Sequence, residues 1–311
     1  MKKNEFYFKS GDERTDIHAI EWIPEEEPKA VLQICHGMVE YIDRYDEFAR
    51  FLVQKGYYVV GHDHLGHGAS VRGEEEYGFF HETKGNEVLQ RDIHTLRVCT
   101  KKKYPTVPYI LMGHSMGSFL VRQYIQTKGE GLAGVILMGS GHQPAIVLRA
   151  GMALCRVFSK VKGDHYRSVW VDRLAFGGFN RKFAPARTKM DWLSKDNSRV
   201  DAYLAHPWCN FTFTVNAYYH MFSGMLELTK TKRNDLIPKD LPIFLVSGKD
   251  DPVGGFGKGV IKVYKEYKSI GLKQVRMHLY EKDRHELLNE TDRGRVMWDI
   301  YEWLKLQMLH S

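Results

Sequence analysis

Cysteine is scarce and scattered in this chain of 311 residues. Only Cys35, Cys99, Cys155 and Cys209 occur, and no two stand as a C-x-x-C pair. Neither a disulfide scaffold nor a thiolate zinc site is indicated. Long apolar runs are also missing: no stretch approaches the roughly 20 residues that cross a bilayer. The opening Met1-Lys-Lys-Asn-Glu-Phe6 lacks an apolar h-region. A secretory leader is therefore not expected, and the cytoplasm is the expected setting. Without secretion, the glycosylation pattern Asn210-Phe-Thr212 reads as incidental. Internal repeats and low-complexity tracts are absent. A concentrated basic patch is absent too. The net charge is +7, but the excess is spread along the chain. Its densest run, Lys101 to Lys103, falls at an expected helix C-terminus, where cations are favourable anyway. No nucleic-acid partner is expected, while weak attraction to an anionic lipid surface is compatible with this charge.

What is present centres on Pro108 to Ser118. Tyr109–Met112 is a compact apolar run that predicts a buried strand. Gly113-His114-Ser115-Met116-Gly117 breaks it, and Ser118 to Lys128 predicts a helix. Strand, sharp turn and helix form the context in which G-x-S-x-G exposes a serine hydroxyl above a sheet. Small residues two before and two after the serine leave room for the strained turn, and Gly113 and Gly117 supply it. An ordinary turn would also match the bare motif, so the flanks carry the inference.

The rest of the chain predicts an alternation. Asn4–Ser10 and Asp16–Pro24 read as two antiparallel strands at one edge. Val31–Cys35, Tyr57–Val60, Val135–Met138, Pro242–Val246 and Gln274–Tyr280 read as further strands. Helical spacing covers Asp43–Lys55, Glu87–Tyr104 and Thr291–Leu309. Strands alternating with helices imply an α/β protein with a doubly wound, mostly parallel sheet. Gly141 to about Pro238 contains no convincing strand. Two amphipathic helices are expected there: Ala145–Val161, with Val147, Leu148, Met152, Leu154 and Cys155 on its apolar face, and the aromatic, Met-rich Thr214–Thr229. The expected organisation is a core over 1–141, a helical cap over 142–238 and the second part of the core over 239–311.

A serine is a poor nucleophile unless a histidine takes its proton and a carboxylate orients that histidine. On doubly wound sheets these arrive in the order Ser, Asp, His, each on a loop after a strand. Here Ser247-Gly-Lys-Asp-Asp-Pro-Val253 follows one strand and Glu281-Lys-Asp-Arg-His-Glu286 follows the next. His285 is the candidate base. Asp251 is the preferred acid because Pro252 shapes its turn, and Asp250 is the alternative. The developing oxyanion needs donors. The backbone N–H groups of Met116, after the nucleophile, and Met38, in the loop after Val31–Cys35, are the candidates.

Five ordered motifs, His36-Gly-Met-Val-Glu40, Asp63-His-Leu-Gly-His-Gly-Ala-Ser70, Gly113-His-Ser-Met-Gly117, Asp251-Pro-Val-Gly-Gly255 and Arg284-His-Glu-Leu-Leu-Asn289, resemble the monoacylglycerol lipase and lysophospholipase group of α/β-hydrolases, which is also classed with serine aminopeptidase-like hydrolases. The resemblance spans nearly the whole chain. It implies the α/β-hydrolase fold, Ser115 as nucleophile, Asp251 as acid, His285 as base, Met38 and Met116 as oxyanion donors, no cofactor, and a small-molecule lipid ester as substrate. An aminopeptidase or amidase with the same triad is the alternative, as is a non-catalytic binding protein on the same fold. One departure is Val39, where the lipases usually carry glycine. A second reading of His62-Asp-His-Leu-Gly-His67 as a zinc motif is disfavoured because Gly66 stands where an aspartate ligand belongs. Gly254-Gly-Phe-Gly-Lys-Gly259 departs from a phosphate loop at its last position, where Gly259 replaces Ser or Thr.

Overall fold

The computed structural model describes residues 1–308. Its eight strands are β1 (Lys2–Lys9), β2 (Asp16–Ile23), β3 (Ala30–Cys35), β4 (Tyr57–His62), β5 (Tyr109–His114), β6 (Gly134–Met138), β7 (Ile243–Gly248) and β8 (Val275–Tyr280). They form one sheet in the order β1-β2-β4-β3-β5-β6-β7-β8. β1 and β2 pair antiparallel, β2 meets β4 antiparallel, and every later pairing is parallel. The central strands β3 to β7 are buried at every residue. Their nearly continuous apolar composition is what a sheet covered on both faces requires.

The core helices are α1 (Asp46–Val53), α2 (Gly85–Lys103) and α3 (Met116–Lys128). In the excursion between β6 and β7 lie α4 (Ala145–Lys162), α5 (Val169–Phe176), α6 (Asn197–Ala205), α7 (Val215–Glu227) and the single turn α8 (Thr231–Asn234), and α9 (Lys258–Ser269) and α10 (Arg293–Met308) return to the core. One core cluster joins Phe48 and Leu52 of α1 to Val296, Ile300 and Leu304 of α10 on one face of the sheet. The other joins Val88 and Ile93 of α2, Leu120 and Val121 of α3, and Val260 and Val263 of α9. The sheet is thus doubly wound. Among the described residues, no helix is long and apolar enough to cross a membrane.

Several elements differ from the sequence expectations. β5 runs on through Gly113 to His114, and α3 starts at Met116, so the turn between them is the single residue Ser115. α5 and α6 were not foreseen; their starts are marked by Ser168 and Asp196, whose side chains accept from Val171 and Ser198 N–H groups. Leu148 and Cys155 are buried on α4, but Val147 is 45% exposed and does not share their face. Leu309, the expected end of the last helix, lies outside the described residues.

Candidate active site

Ser115 sits at the C-terminal end of β5 with φ +52° and ψ −120°. A non-glycine residue in that region is strained, and strain of this kind persists only where the surroundings over-determine it. Its N–H donates to Met138 O at 3.0 Å, and Ser118 Oγ donates to its carbonyl at 2.6 Å. Gly117 is required by close approach: a Cβ there would stand 2.1 Å from Cys35 O at the end of β3. Met116 is the first residue of α3, where a backbone N–H has no intrahelical acceptor. Across from it runs the turn after β3. There Met38 is half-buried, and Val39 holds φ +55°. That left-handed backbone favours glycine, so the β-branched Val39 carries strain there.

Asp251 and His285 are brought together. Asp251 is fully buried, and its Oδ1 lies 3.0 Å from His285 Nδ1. Val253 N–H donates to the same oxygen at 2.8 Å, and Ser247 Oγ donates to Oδ2 at 3.1 Å. Asp250 points elsewhere and pairs with Lys182 of the cap. The loops that carry Asp251 and His285 touch through Gly248, where a Cβ would lie 2.1 Å from both Asp283 O and Arg284 O. The serine and the imidazole converge at the end of β6. Ser115 N–H binds the Met138 carbonyl, while a Cβ on the next residue, Gly139, would stand 3.0 Å from His285 Cε1. Among the described residues, no hydrogen bond joins Ser115 Oγ to His285. Such contacts commonly tighten only when substrate binds.

Beneath these groups lies a buried ionic chain that sequence reasoning missed. His114, next to the serine, meets Glu40 Oε1 at 2.9 Å. Tyr45 O–H donates to the same oxygen at 3.0 Å, and Gly37 N–H donates to it as well. Arg44 donates to Glu40 Oε2 at 2.8 Å and forms a two-bonded fork with Glu286 at 2.7 Å each. Burial opposes every charge here, and pairing outweighs it. Glu40 is held below the ordinary carboxylate range, His114 is raised above the ordinary imidazole value by Glu40, and Arg44 is raised by Glu286 and Glu40. The chain ties the turn carrying Met38, the residue before Ser115 and the residue after His285 into one unit. Its only local signal was the four-residue spacing of Glu40 and Arg44.

The histidines after β4 do a different job. His62, His64 and His67 are fully buried, and their rings pack tilted or edge-on against one another and against His36 at centroid distances of 4.3 to 6.4 Å. Burial pushes His62 down to about 3 and His67 to about 4, which keeps both neutral at physiological pH. Among the described residues, no group of three or more histidine, cysteine or acidic side chains is arranged to hold a metal ion. Lys258 in the glycine-rich stretch opens α9, directly after the acid loop.

Comparison with known proteins agrees with this architecture. The family model described as serine aminopeptidase, S33, matches residues 26–292. The human monoglyceride lipase is 34% identical over 287 residues, covering 89% of this chain and 84% of that protein. A monoacylglycerol lipase of Mycolicibacterium smegmatis is 26% identical over 287 residues, covering 91% and 90%. Among solved structures, a thermostable carboxyl esterase from Bacillus coagulans superposes with a TM-score of 0.91 at 27% identity over 99% of both chains. A monoglyceride lipase from Saccharomyces cerevisiae, at 19% identity over 97% and 94% of the chains, shares the fold with a TM-score of 0.75. The chain therefore belongs to the serine aminopeptidase S33 family, as an α/β-hydrolase of the monoglyceride lipase-like group and a carboxylic ester hydrolase by class.

Proposed function

We propose that the protein cleaves carboxylic esters of single-chain lipids, monoacylglycerols or lysophospholipids, through an acyl-enzyme on Ser115. The observation that carries this reading is the buried Asp251–His285 pair beside a serine on a strained strand-to-helix turn. Ser115 Oγ attacks the acyl carbonyl carbon, and His285 Nε2 takes the hydroxyl proton. The charge that collects on the carbonyl oxygen is met by the Met38 and Met116 N–H groups. When the carbonyl re-forms, the alcohol leaves with the proton from His285. Water then repeats the sequence to release the fatty acid. Asp251 accepts from Nδ1–H, which keeps Nε2 free to act as base. Residues 142–238 act as the cap that shapes the acyl site. The names of the lipase relatives favour monoacylglycerols.

An amine-holding carboxylate would favour the peptidase alternative. Three acids of the cap are engaged instead: Asp172 with Tyr218 at 2.8 Å, Asp201 with Arg187 at 2.6 Å, and Asp164 with Ser159. This favours the ester reading. The cap also presents Ile146 (77% exposed), Val161 (71%) and Trp170 (66%) to solvent. Lys160, Lys162 and Arg173 are exposed beside them. We assign this face to transient contact with an anionic lipid surface.

The test is turnover by Ser115→Ala across p-nitrophenyl esters, monoacylglycerols, lysophospholipids and aminoacyl amides. Wild type should prefer the single-chain esters, and the variant should lose several orders of magnitude in kcat while remaining folded. Near-normal turnover by the variant overturns the nucleophile. A preference for the amides overturns the substrate class.

A further inference from the structure

We propose that the cap strap around Trp192 is a fixed part of the seat of the base, and that Trp192 is a positioning residue for His285. The proposal deepens the reading above and rests on His285 being the base. The His285 ring is enclosed on its faces. His114 lies on one side at a centroid distance of 4.9 Å and Trp192 on another at 5.1 Å, each tilted by 41°. Nδ1 is tied to Asp251, and the Cε1 edge rests against Gly139. Removing the indole opens one of the surfaces that stop the ring from turning.

The backbones on either side are joined in register. Arg284, the residue before His285, donates from Nη1 to the carbonyls of Asp191 and Ser194. Its guanidinium also lies 4.1 Å from the Phe183 ring. Glu286, the residue after His285, donates its N–H to Leu193 O at 2.7 Å. Further along, Ser194 Oγ donates to Asn289 O at 2.9 Å, and Lys195 N–H donates to Glu290 Oε2 at 3.1 Å. The neighbours of the base are thus bound to the neighbours of the tryptophan. Trp192 is held in its turn: its backbone N–H donates to Asn180 Oδ1 at 2.9 Å, and Phe179 packs edge-on against its ring at 5.0 Å. These bonds add to the Asp251 contact and the Arg44–Glu286 fork in holding the loop that carries the base. Proton transfer demands placement within a fraction of an ångström, and a 1 Å error can cost about 100-fold in rate. The strap therefore cannot swing away as a lid without unseating the base, so substrate must enter past another part of the cap.

The experiment compares Trp192→Leu, Trp192→Phe, Arg284→Met and the Trp192→Leu/Arg284→Met double variant on a water-soluble ester. His285→Ala serves as reference, and folding is checked by circular dichroism. Trp192→Leu should lower kcat roughly 10- to 100-fold with KM changed less than about threefold, and Trp192→Phe should recover most of the loss. The downfield proton resonance of the His285 Nδ1–H should broaden in the Leu variant and persist in the Phe variant. Arg284→Met should lose less, and the double variant should lose no more than about twofold beyond Trp192→Leu, because both act through one seat. If Trp192→Leu does not fold, Arg284→Met carries the test through its kcat and the same resonance. A folded Trp192→Leu with wild-type kcat and a sharp resonance overturns the positioning role. So does a loss confined to KM, which makes Trp192 a substrate contact. Activity retained by His285→Ala overturns the base assignment instead.

Discussion

The two halves of the helical excursion treat the active site differently. α4 packs along α7, α5 meets α7 through Tyr218, which reaches Asp172 and Phe176, and the two helices turn Ile146, Val161 and Trp170 outward. The segment from Asn180 to Lys195 has few exposed apolar groups, and its carbonyls and side chains are engaged by the loop that carries His285. One half faces solvent, and the other forms a floor bonded to the loop that carries His285, although the two are contiguous in sequence.

The floor side of this comparison breaks most sharply at the acid. Asp251→Asn should reduce kcat by about four orders of magnitude, the scale set by losing the orienting carboxylate of a serine triad. Asp250→Asn should leave turnover close to wild type, because the Asp250–Lys182 pair is partly exposed and such pairs are worth about 0–1 kcal/mol. Steady-state kinetics of the two variants on one ester checks this, and equal losses would mean that the carboxylate geometry is misread. The next largest effect concerns the buried chain under the site. Arg44→Met leaves Glu40 and Glu286 buried without their shared cation, which should cost about 3–5 kcal/mol in urea unfolding. A loss below about 1 kcal/mol would mean that the carboxylates find water or protons instead. The smallest effect belongs to the outward half. Ile146→Ser with Trp170→Ser should weaken co-sedimentation with anionic vesicles roughly tenfold. Turnover of a soluble ester should stay unchanged. Unaltered vesicle binding would remove the lipid-facing role of α4 and α5.

Much of the sheet was legible because its information is local. Runs such as Val135–Met138 and Ile243–Val246 are apolar at every position, as strands covered on both faces tend to be. The turn at Ser115 could be read because its glycines and flanking periodicities lie within a dozen residues. α5 and α6 escaped notice because they are short, with Val171 the only buried residue of α5 and Val200 and Tyr203 those of α6, so their apolar period is weak.

By itself the sequence determined the alternation of strands and helices, the α/β class, the helical excursion after the fourth parallel strand, and the placing of Ser115, Asp251 and His285 on loops that follow strands. These follow from side-chain period and turn chemistry, which act over a few residues. Only the tertiary structure decided that Asp251 rather than Asp250 faces His285, that Arg44 forks onto Glu286 from 242 positions away, and that Trp192 lies against the imidazole. Those pairings depend on which strand ends the sheet topology sets side by side. Hydrogen bonds and ring contacts reach only a few ångströms, so no periodicity in the chain encodes them.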